Sequence, residues 1–209
     1  MKELVLYHFP GACSGVTMTA LEELGLDYDD VPVNIMKGEQ KGADYLAINP
    51  AGQVPALKIG DRILTESTAI QLYLDATHPD AGLLPKSTDA FEHSKIVSEL
   101  FWVSSTVHPA VRQMRAPQRY TDGDKTGIMA KGKEMATGIA QRLQAHLADR
   151  DWWFGADWSI VDIYLYWCFS MATSAGFVLD DYPAILAHRE RVAAWPSYQR
   201  ARAREQASH

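Results

Sequence analysis

The stretch ELVLYHFPGACSGVTMTALEEL, residues 3–24, decides how the first part of the chain folds. Its apolar run over residues 3–7 predicts a short strand, and the Pro-Gly pair that follows predicts a turn. From Ser14 onward the spacing of the apolar residues predicts a helix that ends near Leu24. A strand that turns directly into a helix is the first unit of an α/β domain.

The α/β pattern continues to about residue 78. It predicts three more strands and one more helix, at residues 28–33, 56–59, 62–64 and 66–77. Residues 38–48 fit either a short helix or an irregular loop. Residues 78–87 contain two prolines and a glycine, which predict a linker.

Beyond the linker the strand pattern stops. Apolar residues recur at three- and four-residue spacing from Val97 to Met114, which predicts one face of a long helix that Pro109 should kink. Three further helices are predicted at residues 128–147, 159–176 and 184–194. The sequence therefore predicts an α/β domain over residues 1–78 and an all-helical domain over residues 88–209.

Composition limits the possible functions and locations. The 209 residues are 47% hydrophobic and carry a net charge of −6, so the chain is globular and lacks the basic surface that nucleic acid requires. Cys13 and Cys168 form no C-x-x-C pair and no zinc-ligand spacing, and the N-terminus has no long apolar segment. We expect a cytoplasmic protein without a metal. The longest uncharged run, residues 163–179, is shorter than the roughly 20 apolar residues of a membrane span.

The first chemically informative motif places Cys13 and Ser14 where a strand and turn lead into a helix. Unpaired backbone N–H groups and the positive end of the helix dipole favour a thiolate at such a position. An alternative interpretation makes Ser14 an N-cap and Cys13 a small buried residue. Spacing alone does not separate the two.

Two further motifs could bind a peptide. Pro55 begins a strand beside a tight turn, where a cis bond is plausible, and the backbone of Val54 would then be free to pair with an extended peptide. Glu66 and Ser67 precede a helix, where they could bind an ammonium group and a carboxylate. The alternatives are an ordinary trans turn and a plain helix cap.

Two positions in the second half have mainly structural interpretations. Ser159 and Asp162 have the spacing of a capping box at the start of the most apolar helix. His108 lies on the inward face of the long helix, where a lone histidine is usually a core residue. Neither position is assigned a catalytic role from its spacing.

Taken in order, the motifs PGACS at residues 10–14, NPAGQVP at 49–55, TES at 65–67 and S-x-x-D at 159–162 resemble a cytosolic glutathione transferase, close to the bacterial beta class. The resemblance covers almost the whole chain. It implies a thioredoxin-like N-terminal domain, an all-α C-terminal domain, a homodimer and glutathione as co-substrate. The glutathione thiolate would attack an apolar, aromatic electrophile or exchange with a disulfide.

The resemblance also implies roles for individual residues. Catalytic roles fall to three of them: Cys13, Ser14 and His108. Glutathione would be bound by six others: Lys37, Gln53, Val54, Pro55, Glu66 and Ser67. The electrophile would lie against the long helix, at Phe101, Ser105 and Arg112.

The chain departs from the beta-class pattern at two positions on the long helix. Pro109 replaces a lysine and Phe101 replaces an asparagine, so we expect a more apolar wall around a small hydrophobic electrophile. An alternative function is a non-catalytic relative that uses this fold to bind ligands or proteins.

Overall fold

The computed structural model describes residues 3–208, which form two compact units. The first unit runs to Leu83 and includes the chain from Ala194 onward. The second unit runs from Leu84 to Ala193. Within residues 3–208, no helix is both long enough and apolar enough to cross a membrane.

A four-stranded sheet forms the centre of the first unit. Its strands are β1 (Leu4–His8), β2 (Asp29–Pro32), β3 (Ala56–Ile59) and β4 (Arg62–Thr65), in the order β2-β1-β3-β4. β1 runs parallel to β2 and antiparallel to β3, which in turn runs antiparallel to β4. This is the thioredoxin-like arrangement that the resemblance implied.

The helices of the first unit follow the predictions. They are α1 (Ser14–Glu23), α2 (Ala43–Leu46) and α3 (Ser67–Thr77). The ambiguous residues 38–48 contain both a 3₁₀ turn, Glu39–Lys41, and the short α2. α3 packs on α1, where the buried Gln71 amide donates a hydrogen bond to Thr17 Oγ1 at 3.1 Å.

The last helix, α9 (Pro196–Ala207), belongs to the first unit. It packs on α1, and Arg204 donates from Nε to Asp30 at 2.7 Å and from Nη2 to the carbonyl of Tyr28 at 2.6 Å. The predicted helical domain of residues 88–209 includes α9, whereas in the structure α9 lies in the first unit. The reason is that α9 returns to the sheet, which local sequence patterns do not reveal.

The second unit is all helical, as predicted. Its helices are α4 (Ala90–Trp102), α5 (His108–Arg115), α6 (Thr126–Leu147), α7 (Ile160–Ser174) and α8 (Pro183–Ala194), which reaches the boundary of the unit. The long predicted helix is divided by a π-helical segment, Val103–Val107, directly before Pro109. Because proline has no N–H to donate, the widened turn rearranges the backbone hydrogen bonds there.

The capping box at the start of α7 is present, as predicted. Asp162 is fully buried and accepts hydrogen bonds from the Ser159 N–H at 2.8 Å and from the Trp153 N–H at 2.7 Å. Its carboxylate also lies 2.9 Å from Nε2 of the buried His188. Asp162 thus joins the start of α7 to the preceding loop and to α8.

We expect Asp162→Ala to lower the free energy of unfolding by about 3 to 5 kcal/mol, because it leaves several buried donors without an acceptor. Ser159→Ala should cost about 1 kcal/mol as a lost cap. Asp151→Ala is the control, since its contact with Arg191 is exposed and should contribute under about 1 kcal/mol. Urea unfolding measures all three; an Asp162→Ala midpoint equal to that of the control would contradict this account.

Candidate active site

The turn between β1 and α1 is closed by the backbone of Phe9. The Ala12 N–H donates to the Phe9 carbonyl at 3.0 Å, and the buried Ser14 hydroxyl donates to the same carbonyl at 3.2 Å. The Phe9 N–H donates back to Ser14 Oγ at 3.1 Å. The Ser14 hydroxyl thus binds within this turn, and its predicted role beside a ligand sulfur stays a prediction.

Cys13 occupies the N-cap position of α1 and is partly exposed. Its Sγ lies 3.6 Å from the carbonyl oxygen of Val54, so the thiol can donate to that carbonyl. The helix N-terminus beside it supplies positive potential that stabilises a thiolate. Cys168, by contrast, is buried in α7. The structure therefore brings together Cys13 and Val54, two of the predicted site residues.

Hydrogen bonds from two side chains fix the backbone of the loop that carries Val54. The Val54–Pro55 peptide is cis, as predicted. The carbonyl of Gln53 accepts hydrogen bonds from the Tyr45 hydroxyl at 2.6 Å and from the Asn49 amide at 2.7 Å. Burial raises the pKa of Tyr45 to about 12, so this hydroxyl remains a donor at neutral pH. Sequence reasoning missed both Tyr45 and Asn49 as supports of the loop.

Two lysines lie near this loop in the chain. Lys37, the predicted one, is exposed in the turn after β2. Lys41, which the prediction omitted, lies across Gly52, whose φ is +59°: a Cβ at that position would be 2.9 Å from Lys41 Nζ. The Gln40 carbonyl oxygen would be nearer still, at 2.7 Å, so the backbone at this position requires glycine. Lys41 is therefore a second candidate for an anionic ligand group.

Glu66 has an unusual backbone conformation at the start of α3. Its φ is +68°, the one non-glycine value in the left-handed region among residues 3–208. Such residues carry strain of about 1 to 3 kcal/mol and cluster at functional sites. The Glu66 side chain makes no capping hydrogen bond and is exposed, so the plain helix cap is excluded. Ser67 and Thr68 follow in the first turn, and the buried Thr68 hydroxyl has no partner.

Glu205 of α9 supports the cysteine loop from the far end of the chain. Its buried carboxylate accepts a hydrogen bond from the Gly11 N–H at 3.0 Å. The same oxygen would lie 3.5 Å from a Cβ at Gly15, so it packs against the first turn of α1. A separation of 194 residues explains why no local pattern pointed to this contact.

In the second unit, His108 is buried and both of its ring nitrogens are engaged. Nδ1 lies 2.9 Å from the Tyr164 hydroxyl, and Nε2 lies 3.0 Å from Nη2 of Arg112. Burial, together with the charges of Arg112 and Arg119, lowers the pKa of His108 to about 3. The imidazole is therefore neutral at physiological pH, and the predicted catalytic role of His108 stays a prediction.

The remaining predicted residues lie on the two turns before His108. The Phe101 side chain is 50% exposed, at the edge of the predicted inward face. Ser105 is exposed and donates its hydroxyl to the Phe101 carbonyl at 2.7 Å, so its proton is used within the helix. Of the three residues predicted to contact the electrophile, Phe101 and Arg112 retain groups that a ligand could contact.

We expect His108 to make folding stability depend on acid. The pKa of His108 is lower in the folded chain than in the unfolded chain, so its contribution is complete above pH about 6.5 and is lost as the pH falls towards 3. This single group should cost about 1.4 kcal/mol per pH unit in that window.

His108→Gln should therefore lose less stability than the wild type between pH 7.5 and pH 4.5, as measured by urea unfolding at each pH. His93→Gln is the control, because His93 is exposed on α4. An equal acid-induced loss in the wild type and in His108→Gln would show that His108 is not held neutral.

Two family models match the chain. The glutathione S-transferase N-terminal domain matches residues 2–76, and the glutathione S-transferase C-terminal domain matches residues 129–191. Glutathione S-transferase GstA of Escherichia coli O157:H7 is 31% identical over 196 residues, which cover 93% of this chain and 94% of that protein.

Solved structures agree with these matches. A glutathione transferase homologue from sulfitobacter, with bound glutathione, superposes with a TM-score of 0.88 at 31% identity, covering 98% of this chain and 99% of that one. The bacterial beta-class glutathione S-transferase of Sphingomonas chungbukensis has a TM-score of 0.85 at 30% identity, covering 96% and 98%. The chain thus belongs to the glutathione S-transferase family.

Proposed function

We propose that this chain binds glutathione on its first unit and uses the glutathione thiolate as a nucleophile. The observation that carries the proposal is the 3.6 Å contact between Cys13 Sγ and the Val54 carbonyl, beside a cis peptide bond. This places a helix N-terminus and a partly exposed thiol next to a backbone that can pair with a peptide.

The groups around that contact match the chemistry of glutathione. The Val54 backbone would pair with the cysteinyl residue, and the exposed Glu66 carboxylate would bind the γ-glutamyl ammonium group. Ser67 and the unpartnered Thr68 hydroxyl, in the first turn of α3, would hold the adjacent carboxylate. Lys41 or Lys37 would reach the glycyl carboxylate at the other end.

The first candidate reaction is conjugation. The glutathione sulfur forms a bond to an electrophilic carbon while the leaving group departs with its electron pair, and the thiol proton passes to solvent. The protein contributes position and a stabilised thiolate, which are the two requirements of a thiol nucleophile at neutral pH. A non-catalytic binding module is less well supported, since relatives that match the whole chain are named as transferases.

The exposure of Cys13 supports a second candidate, thiol–disulfide exchange. The Cys13 thiolate attacks the glutathione sulfur of a mixed disulfide between glutathione and a second thiol, forming a protein–glutathione mixed disulfide and releasing the second thiol as its thiolate. A second glutathione then attacks the mixed disulfide, regenerating Cys13 and oxidised glutathione. The atoms and electrons of this cycle balance without another oxidant.

We further propose a homodimer in the cytoplasm and a small, largely apolar electrophile on the second unit. Large apolar side chains that remain exposed support a partner copy, among them Met36 at 83% and Phe91 at 72%. Phe101, at 50% exposure, supports contact with an aromatic electrophile.

The function is tested by titration calorimetry with glutathione and by turnover of 1-chloro-2,4-dinitrobenzene. We expect binding at or below millimolar concentration. Glu66→Ala should weaken glutathione binding roughly tenfold through loss of a charge-assisted contact. Phe101→Ala should instead raise KM for the aromatic electrophile and leave glutathione affinity unchanged. The proposal fails if no glutathione binds, or if both changes weaken only glutathione.

A separate experiment concerns Cys13. Incubation with oxidised glutathione should give a single adduct of one glutathione on Cys13, located by peptide mass spectrometry. Cys168 is the internal control, since it is buried in α7 and should remain unmodified in the folded protein. Modification of Cys168 without Cys13 would exclude the exchange reaction at this site.

A further inference from the structure

Three arginines on one segment of the second unit have no acidic partner. Arg112 and Arg115 lie in the last turn of α5, and Arg119 lies in the 3₁₀ turn Pro117–Arg119. Among residues 3–208, no carboxylate lies within ion-pair distance of any of the three. Six other arginines of the chain do have such a partner: Arg142, Arg150, Arg191, Arg200, Arg202 and Arg204.

Two neutral side chains, those of His108 and Tyr164, orient the Arg112 guanidinium. A guanidinium can only donate hydrogen bonds, so the 3.0 Å contact makes His108 Nε2 the acceptor and places the ring proton on Nδ1. That N–H then donates to the Tyr164 oxygen at 2.9 Å. His108 and Tyr164 are thus positioning residues that orient Arg112 without neutralising it.

This arrangement leaves a partly buried positive charge uncompensated. The dipole of α5 stabilises cations at the last turn of the helix by about 0.3 to 1 kcal/mol. This interaction occupies few of the five N–H donors of the Arg112 guanidinium. Arg112 and Arg119 both contribute to lowering the pKa of His108, so the charge of Arg119 acts at the same place. An anion is the group that would complete such a site.

An aromatic side chain lies beside His108, which contacts Arg112. The partly exposed Trp167 ring is centred 4.6 Å from the His108 ring in an edge-on contact. The Arg112 guanidinium and the Trp167 indole both contact the His108 imidazole. Together they suit a ligand that combines a carboxylate or sulfonate with a flat unsaturated ring.

We propose that the second substrate of this enzyme is an anionic electrophile, whose carboxylate or sulfonate group is bound by Arg112. The inference rests on the proposed function in one respect, namely that the second unit receives the electrophile. It changes the expectation from a largely apolar wall around a small hydrophobic electrophile to an aromatic wall with one anion-binding group. Arg115 and Arg119 add positive potential around that group.

The test uses two electrophiles with the same ring, 4-chloro-3,5-dinitrobenzoate and the neutral 4-chloro-3,5-dinitrobenzamide. In both, the glutathione sulfur replaces chloride, which leaves with the bonding electrons. The wild type should show a KM roughly tenfold lower for the benzoate, as expected for one charge-assisted contact. Arg112→Gln should abolish that preference while leaving KM for the benzamide unchanged, and Arg112→Lys should keep part of it.

Arg150→Gln is the matched control. Arg150 also contacts a histidine four residues earlier, with Nη1 at 3.0 Å from His146 Nε2, but it has Asp149 as an acidic partner. This variant should keep the wild-type preference for the benzoate. If it loses the preference to the same extent as Arg112→Gln, the effect is not specific to Arg112 and the proposal fails.

A binding measurement separates this proposal from the proposed function. Without glutathione, 3,5-dinitrobenzoate, which lacks the leaving group, should bind the wild type more tightly than 3,5-dinitrobenzamide and should bind Arg112→Gln no better than the amide. If neither electrophile is turned over but this difference remains, conjugation is wrong and the anion site stands. Equal affinities of wild type and folded Arg112→Gln for the benzoate would overturn the anion site.

Discussion

The antiparallel pairing of β1 with β3 is the constraint on which the first unit depends. Tyr7 pairs with Ala56, so the loop that leaves the end of β1 lies beside the residues that enter β3. This register places the Cys13 thiol against the Val54 carbonyl, although 41 residues separate them in the chain. Without that pairing, neither the cysteine loop nor the cis peptide would form part of a site.

Two buried carboxylates hold loops in place in a similar way. Glu205 accepts a hydrogen bond from the Gly11 N–H in the first unit. Asp162 accepts hydrogen bonds from the N–H groups of Trp153 and Ser159 in the second. Asp162 replaces water as the acceptor for backbone donors that would otherwise be buried without a partner, whereas Glu205 fixes the exposed turn at Gly11. Their roles are therefore architectural, and the reactive groups lie on the loops that they hold.

Charge is distributed unevenly along this acidic chain. The net charge is −6, yet the segment from α5 to the following 3₁₀ turn has three arginines without an acidic partner among residues 3–208. The net charge argues against a polyanion such as nucleic acid, whereas the local arrangement around Arg112 favours a small anion. The distinction matters because a binding site responds to the potential within about 10 Å, where ions in solution screen it least.

Sequence patterns predicted the elements better than the contacts between them. The strands and the capping box follow from local spacing, because each depends on neighbours a few residues away. At Pro55 local spacing left both a cis and a trans bond open, and the resemblance to the family indicated the cis bond. The support from Glu205, the return of α9 to the first unit and the choice between Lys37 and Lys41 depend on distant chain segments. The hydrogen bonds between Ser14 and the Phe9 backbone were also beyond prediction, because side-chain patterns do not show which backbone group a hydroxyl binds.

The central claim is that the backbone of Val54 receives the peptide portion of glutathione beside Cys13. A crystal structure of the protein soaked with glutathione tests it directly. The account predicts that the cysteinyl backbone atoms lie about 2.7 to 3.2 Å from the Val54 N and O atoms, with the ligand sulfur nearest to Cys13. Glutathione bound without these two hydrogen bonds, or with its sulfur directed away from Cys13, would contradict it.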